Sequence, residues 1–152
     1  MHWFDNNDMW ERFYDCMFDD DSFALADQQC QQILQLVPGP VESVLDLACG
    51  PGRHVLGFAR LGKDITGVDL SGYLLNRAAN LIDQQQLTAN LVHSDLLQYQ
   101  PNRSFDLITN LFTSFGYYSE PADNQKVLDN AHGWLQDGGH LIIDTFGKEQ
   151  AA

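Results

Sequence analysis

The sequence predicts an α/β fold: a doubly wound, mostly parallel sheet preceded by helices. Three observations lead there. From residue 41 onward, short apolar runs alternate with helical patterns, which implies crossover connections and parallel pairing. Several of those runs, LIID among them, are apolar almost throughout, as strands covered on both faces must be. Finally, 152 residues with 44% hydrophobic side chains suffice for one core without disulfide or metal support. A single domain is expected over 1–152, with 1–38 a helical N-terminal lid and 41–147 the sheet-bearing core.

The elements follow in order. Trp10, Phe13, Tyr14, Met17 and Phe18 recur at steps of three and four, gathering aromatics on one helical face. A second helix, capped by Ser22 after three aspartates, carries Phe23, Ala26, Cys30, Ile33, Leu34 and Val37 on one stripe. Asp19, Asp20 and Asp21 sit where the helix dipole favours negative charge, a capping role rather than a metal site. Pro38-Gly39-Pro40 is the linker. Beyond it, Ser43 to Ala48 is the first strand and Arg53 to Leu61 a helix closed by Gly62. Asp64 to Asp69 is the second strand, Gly72 to about Gln85 a helix, and Ala89 to His93 a brief third strand. Phe105 to Leu111 is the fourth strand, and Pro121 begins a helix running to Leu135. Gly138-Gly139 then turns into a fifth strand, His140 to Phe146.

Charge narrows the function. Eight Lys+Arg stand against 21 Asp+Glu, a net charge of −13, and no basic footprint exists for nucleic acid or an anionic membrane. No apolar run approaches the roughly 18 residues of a membrane span. The start, MHWFDNNDMWERF, has no basic segment leading into an apolar one, so no signal peptide is expected. Cys16, Cys30 and Cys49 are odd in number and match no metal spacing, which predicts reduced thiols in the cytoplasm. The scattered His93, His132 and His140 predict no metal site.

Sheets of this class bind ligands at the carboxyl ends of their strands. The first strand ends in Asp46-Leu47-Ala48-Cys49-Gly50-Pro51-Gly52, where Gly50 and Gly52 permit a tight turn and leave room for a ligand. Asp69 ends the second strand, where a carboxylate can accept from both hydroxyls of a ribose. Asp95 follows the third and can accept from an amino group such as that of adenine. Each feature alone is compatible with a structural turn; together they describe a nucleoside laid across a sheet edge. A dinucleotide fits less well. The third small residue of a pyrophosphate loop is here Val55, Arg53 is the sole cation beside the loop, and Asp46 suits a cationic ligand instead.

LDLACGPGRH, ITGVDLS, HSDLL, FDLITNLFTSFGY and LQDGGHLIIDTF, in that order over about residues 40 to 147, resemble successive motifs of class I S-adenosylmethionine-dependent methyltransferases, a Rossmann-like family. The resemblance implies S-adenosylmethionine as cofactor. Ala48 to Gly52 would lie along its methionine, with Asp46 near the ammonium. Asp69 and Leu70 would meet the ribose, Asp95 and the Leu96 backbone the adenine, and Leu111 the region beside the sulfonium. Tyr14 would act as the lid residue, the competing reading being an aromatic core contact.

Methyl transfer from a sulfonium is an in-line displacement in which positioning can do most of the work. Where the acceptor must lose a proton, His54 at the start of the post-glycine helix is the candidate base; packing or capping is the alternative. Phe112, Ser114 and Tyr117 leave the fourth strand where a small, partly apolar acceptor would sit. The family's Asn/Asp-Pro-Pro-aromatic sequence for nucleobase or glutamine amines is missing there, which favours a small-molecule substrate. Members usually have seven strands; five are expected here, the last two family strands being absent. The fifth strand would then present an open edge, covered by a second copy or a partner chain. The rival readings are a cofactor-binding module that does not catalyse, or a fragment needing a partner chain.

Overall fold

The computed structural model describes residues 3–145. A single 3-10 turn, Trp3–Asp5, precedes α1 (Asn7–Met17) and α2 (Asp20–Leu36). The core then runs β1 (Ser43–Leu47), α3 (Arg53–Arg60), β2 (Asp64–Asp69), α4 (Gly72–Gln84), β3 (Asn90–His93), β4 (Phe105–Asn110), α5 (Pro121–Trp134) and β5 (Leu135–Ile143). The five strands are parallel, in the order β3-β2-β1-β4-β5. This is the expected doubly wound sheet. Its order reverses between β1 and β4, and a crevice opens at such a reversal.

Alternation along the central strands divides the core into two layers. Val44, Ile65 and Leu107 pack beneath α2, α3 and α4, against Cys30, Ile33, Val55, Phe58, Leu75 and Ile82. Leu45, Leu47, Val68 and Ile108 face the other way, onto Val127, Ala131 and Trp134 of α5 and onto Tyr99; Phe105, where the β4–β5 register shifts, joins that layer out of the alternation. The β1–β4 junction is held where it begins. Asp106 accepts from the Glu42 amide (2.9 Å), the Ser43 amide (2.8 Å) and the Ser43 hydroxyl (2.9 Å).

Three expectations change. Asp19, not Ser22, is the N-cap of α2: its carboxylate accepts the Ser22 amide at 2.9 Å, and Asp20 and Asp21 occupy the first turn. Within α1, Trp10 and Tyr14 are buried and Phe18 follows them inward, whereas Phe13 is 51% exposed. The inward stripe is therefore the i, i+4, i+8 row, packing on Leu74 of α4. Gly138-Gly139 lies inside β5 rather than before it. Phe105 pairs with Leu135 and Leu107 with His140, so residues 136–139 form a bulge in which Gly138 takes φ +77°. Phe146 lies outside the described residues, as does the rest of the expected core as far as 147.

Candidate active site

The glycine loop is built from backbone geometry that favours small residues. After β1, Ala48 takes φ +57°, Gly50 +55° and Gly52 +81°. Ala48 is the costly one, because a Cβ in the left-handed region is strained by about 1 kcal/mol or more. Two bonds hold the turn: the Cys49 amide donates to Val68 O (3.0 Å) and the Gly52 amide to Cys49 O (3.1 Å). Gly67 lets β2 approach, since a Cβ there would lie 2.8 Å from both Cys49 Sγ and Val55 Cγ2.

Beyond the carboxyl ends of β1, β2 and β4, beneath the N-terminal helices, lies a cleft open to solvent. Asp46, Ala48, Gly50, Asp69, Leu70, Leu96, Leu111, Phe112, Ser114, Tyr117 and His54 all border it.

Two buried carboxylates form its polar floor. Asp46 Oδ1 accepts the Thr109 hydroxyl at 2.7 Å, and burial pushes its carboxyl pKa up to about 7. Asp69 is the hinge pin of the loop: Oδ2 accepts the Gly50 amide at 2.7 Å and Oδ1 the Ser71 amide at 2.8 Å. Burial raises its pKa as well, against the pull of those two donors. Each oxygen of Asp69 has spent one lone pair, and each keeps another for a diol.

Four expected site residues are placed differently. Gly52 does not border the cleft; a Cβ on it would lie 2.8 Å from Ala78 Cβ, so its bareness serves the packing of α3 on α4. Asp95 also lies off the cleft wall. Its Oδ1 accepts both the Leu97 amide (2.8 Å) and the Tyr118 hydroxyl (2.6 Å), leaving neighbouring Leu96 to line the pocket. Tyr14 packs against Phe18 and Tyr73, with the Arg77 guanidinium 4.2 Å from its ring centroid, and it does not border the cleft. His54 is buried, and its Nε2–H donates to Gln29 Oε1 at 2.8 Å. Burial, then the neighbouring Arg53 charge, lowers its pKa to about 3, so the ring is neutral but a feeble base.

The expected N-terminal lid does border the cleft, through Trp10, Met17 and Phe18 of the aromatic stripe. Phe4, which the spacing does not reach, joins them and accepts Trp10 Nε1–H on its carbonyl at 2.8 Å. Arg53 was noted only as a cation beside the loop, yet it is buried in the cleft wall.

The model of the methyltransferase domain matches residues 44–139, well over half of the chain. The chain belongs to the methyltransferase domain family. It is 31% identical over 106 residues to the ubiquinone biosynthesis O-methyltransferase of Coxiella burnetii, covering 69% of this chain and 44% of that protein. It is 26% identical over 104 residues to a dTDP-3-amino-3,4,6-trideoxy-alpha-D-glucopyranose N,N-dimethyltransferase of Streptomyces venezuelae, covering 68% and 42%. Among solved structures, an S-adenosylmethionine-dependent methyltransferase from Clostridium acetobutylicum superposes with a TM-score of 0.73 and 26% identity, over 90% of this chain and 54% of that one. The chain thus spans less than half the length of these curated relatives. Within that span, the resemblance to class I S-adenosylmethionine-dependent methyltransferases holds for fold and family alike.

The site's chemistry fits such a cofactor. Two buried acids floor the cleft, Gly50 offers bare backbone whose nearest would-be neighbour is 4.0 Å away, and Leu70 and Leu96 supply apolar wall. An adenosyl cation suits that set; a pyrophosphate facing buried Asp46 does not.

Proposed function

We propose that this chain binds S-adenosylmethionine in the cleft and transfers its methyl group to a small-molecule acceptor. One observation carries the reading: Asp46 and Asp69, on the adjacent parallel strands β1 and β2, are buried in one cleft on either side of the glycine loop. The cofactor supplies an already activated methyl group, so the protein's task is alignment and exclusion of water. Asp46 faces the cationic amino-acid end and Asp69 the ribose hydroxyls. Leu70 and Leu96 flank the base, Leu111 lies beside the sulfonium, and Phe112, Ser114 and Tyr117 hold the acceptor. The aromatic residues of α1 and its flanks close over the cofactor as a lid. His54 is assigned to fastening α3 to α2 through Gln29, because a group titrating near pH 3 draws a proton poorly.

The test is calorimetry with S-adenosylmethionine, S-adenosylhomocysteine and NADH, followed by a labelled-methyl assay against a metabolite pool. Binding of the first two but not NADH, with label incorporated, is expected; a preference for NADH overturns the reading. A second reading is a cofactor-binding unit that turns over only beside another chain. Phe112, on the acceptor side, favours it by being 46% exposed, so part of the acceptor wall is open. Cofactor binding without label transfer would identify that case.

Cys16, Cys30 and Cys49 are free thiols, which fits a reducing cytoplasm, and among the described residues no helix is long and apolar enough to cross a membrane. Among the described residues β5 pairs on one side only, with β4, and a second copy or partner chain over the other side would satisfy its backbone groups. Light scattering showing a monomer at high concentration would rule that covering out.

A further inference from the structure

Arg53 opens α3 and is only 5% exposed, yet it borders the cleft. Its surroundings invert the usual pattern. The exposed Arg60 and Arg103 form ion pairs with Asp27 and Asp64. Buried Arg53 has neither a hydrogen bond nor an ion pair to any described residue; what touches its guanidinium is two aromatic rings. The Phe112 centroid lies 4.0 Å away and that of Phe18 5.4 Å. Asp46, Asp19 and Tyr14 act on it electrostatically, but none within ion-pair distance.

A guanidinium stays charged and carries five N–H donors. At 5% exposure little water reaches those donors, which is costly unless an acceptor completes them, and cation–π contact offsets only about 1–2 kcal/mol. With rings occupying its protein surroundings, the cleft is the side from which an acceptor can come. The flat donor fork matches a carboxylate, which takes two parallel N–H bonds. A dianionic phosphate is a poorer match, because Asp46 and Asp69 border the same cleft.

We propose that Arg53 is the carboxylate-binding residue of this cleft. The inference rests on the cleft being the cofactor and acceptor site. Two molecules could bring the carboxylate: the amino-acid end of the cofactor, whose ammonium Asp46 faces, or an acidic methyl acceptor seated by Phe112. Phe112 and Phe18 flank the guanidinium from the acceptor loop and the lid.

Calorimetry on the 152-residue chain separates the sources. The probes are S-adenosylhomocysteine, its decarboxylated analogue, 5′-methylthioadenosine, and benzoate added to protein saturated with S-adenosylhomocysteine. If the cofactor end is the source, wild type prefers S-adenosylhomocysteine to the decarboxylated analogue by about tenfold or more. Arg53→Met, which keeps a long apolar stem between the rings, then erases that preference. If the acceptor is the source, Arg53→Met leaves S-adenosylhomocysteine affinity unchanged, and benzoate binds the saturated wild type but not the variant. Arg53→Lys, which keeps the charge but loses the fork, gives an intermediate result in whichever arm is active. Wild type that neither discriminates the decarboxylated analogue nor binds benzoate overturns the proposal, whether or not the variants fold. Failure of every nucleoside probe, 5′-methylthioadenosine included, would instead overturn the proposed cofactor site.

Discussion

Asp69 Oδ2 accepts the Gly50 amide at 2.7 Å, so the acid that ends β2 also sets the shape of the loop that ends β1. The residue faces the ligand space and holds the ligand's cradle at once. Asp69→Ala should therefore weaken S-adenosylhomocysteine binding by about 2–3 kcal/mol, through lost ribose contacts and a loosened loop. Asp69→Asn, which can still accept one amide, should fall between. Calorimetry at constant salt measures both, and an unchanged affinity for Asp69→Ala would place the ribose elsewhere.

Asp46 gives a pH dependence. Its carboxyl is raised from the ordinary 3.8 to about 7 by burial, so at pH 6 much of it is protonated in the ligand-free protein. A cationic ligand needs the ionised form. Affinity for S-adenosylhomocysteine should rise between pH 6 and 8, and binding at pH 6.5 should release protons, readable from calorimetry in buffers of different ionisation enthalpy. Asp46→Asn should flatten this profile. The stability sign is opposite to the usual carboxylate: Asp46's contribution is complete below pH 3.8 and lost as pH rises through about 7.

His54 acts on the acid side. A folded-state pKa near 3 against 6.5 unfolded means its contribution is complete above pH 6.5 and lost as pH falls toward 3. Urea midpoints for His54→Gln should decline less steeply over that window than wild type. Turnover at pH 7.5 should fall less than about tenfold, since removing a working general base costs roughly a hundredfold or more. A hundredfold loss with an intact fold would restore the base role.

The two loop glycines should separate cleanly. Gly52→Ala places a methyl 2.8 Å from Ala78 Cβ at φ +81°, which should destabilise the fold by about 2–4 kcal/mol. Gly50→Ala meets nothing nearer than 4.0 Å and carries only the strain of φ +55°, about 1–2 kcal/mol. Its larger effect should be on ligand affinity. Denaturant melts beside calorimetry tell the two apart; equal destabilisation would show that both serve packing.

Tyr14 and Trp10 reverse the sequence's order of importance for the lid. Trp10 borders the cleft and Tyr14 does not. Tyr14→Phe should leave S-adenosylhomocysteine affinity within about twofold, while Trp10→Ala should weaken it by about 1–3 kcal/mol. The reverse outcome would return the lid role to Tyr14.

Legibility in the sequence tracked locality. Strand and helix positions came from apolar periods, and β2 was expected and found at Asp64–Asp69. That Asp46 and Asp69 share a cleft followed from strand ends in a parallel sheet. Where the site differs from the sequence expectation, the cause is distance along the chain. Asp95 Oδ1 takes the Tyr118 hydroxyl from 23 positions away, a contact that no local spacing announces. Gly52 was read as ligand-facing because Ala78, which crowds it, belongs to another helix. The α1 stripe was drawn too wide because Phe13 and Tyr14 are neighbours in the chain, and only packing on Leu74 chooses between them.

From the chain alone came the parallel α/β class, the glycine loop and the acids at its sides, because each depends on local spacing and on a rule of sheet topology. The tertiary structure alone decided which groups remain free to meet a ligand. It tied Asp95 Oδ1 to Tyr118 and His54 to Gln29, and it left Arg53 among rings with no acceptor for its donors among the described residues. How much of a hydrogen-bonding group remains for a ligand depends on which neighbours distant in sequence have engaged it, and such neighbours exist only once the chain has folded.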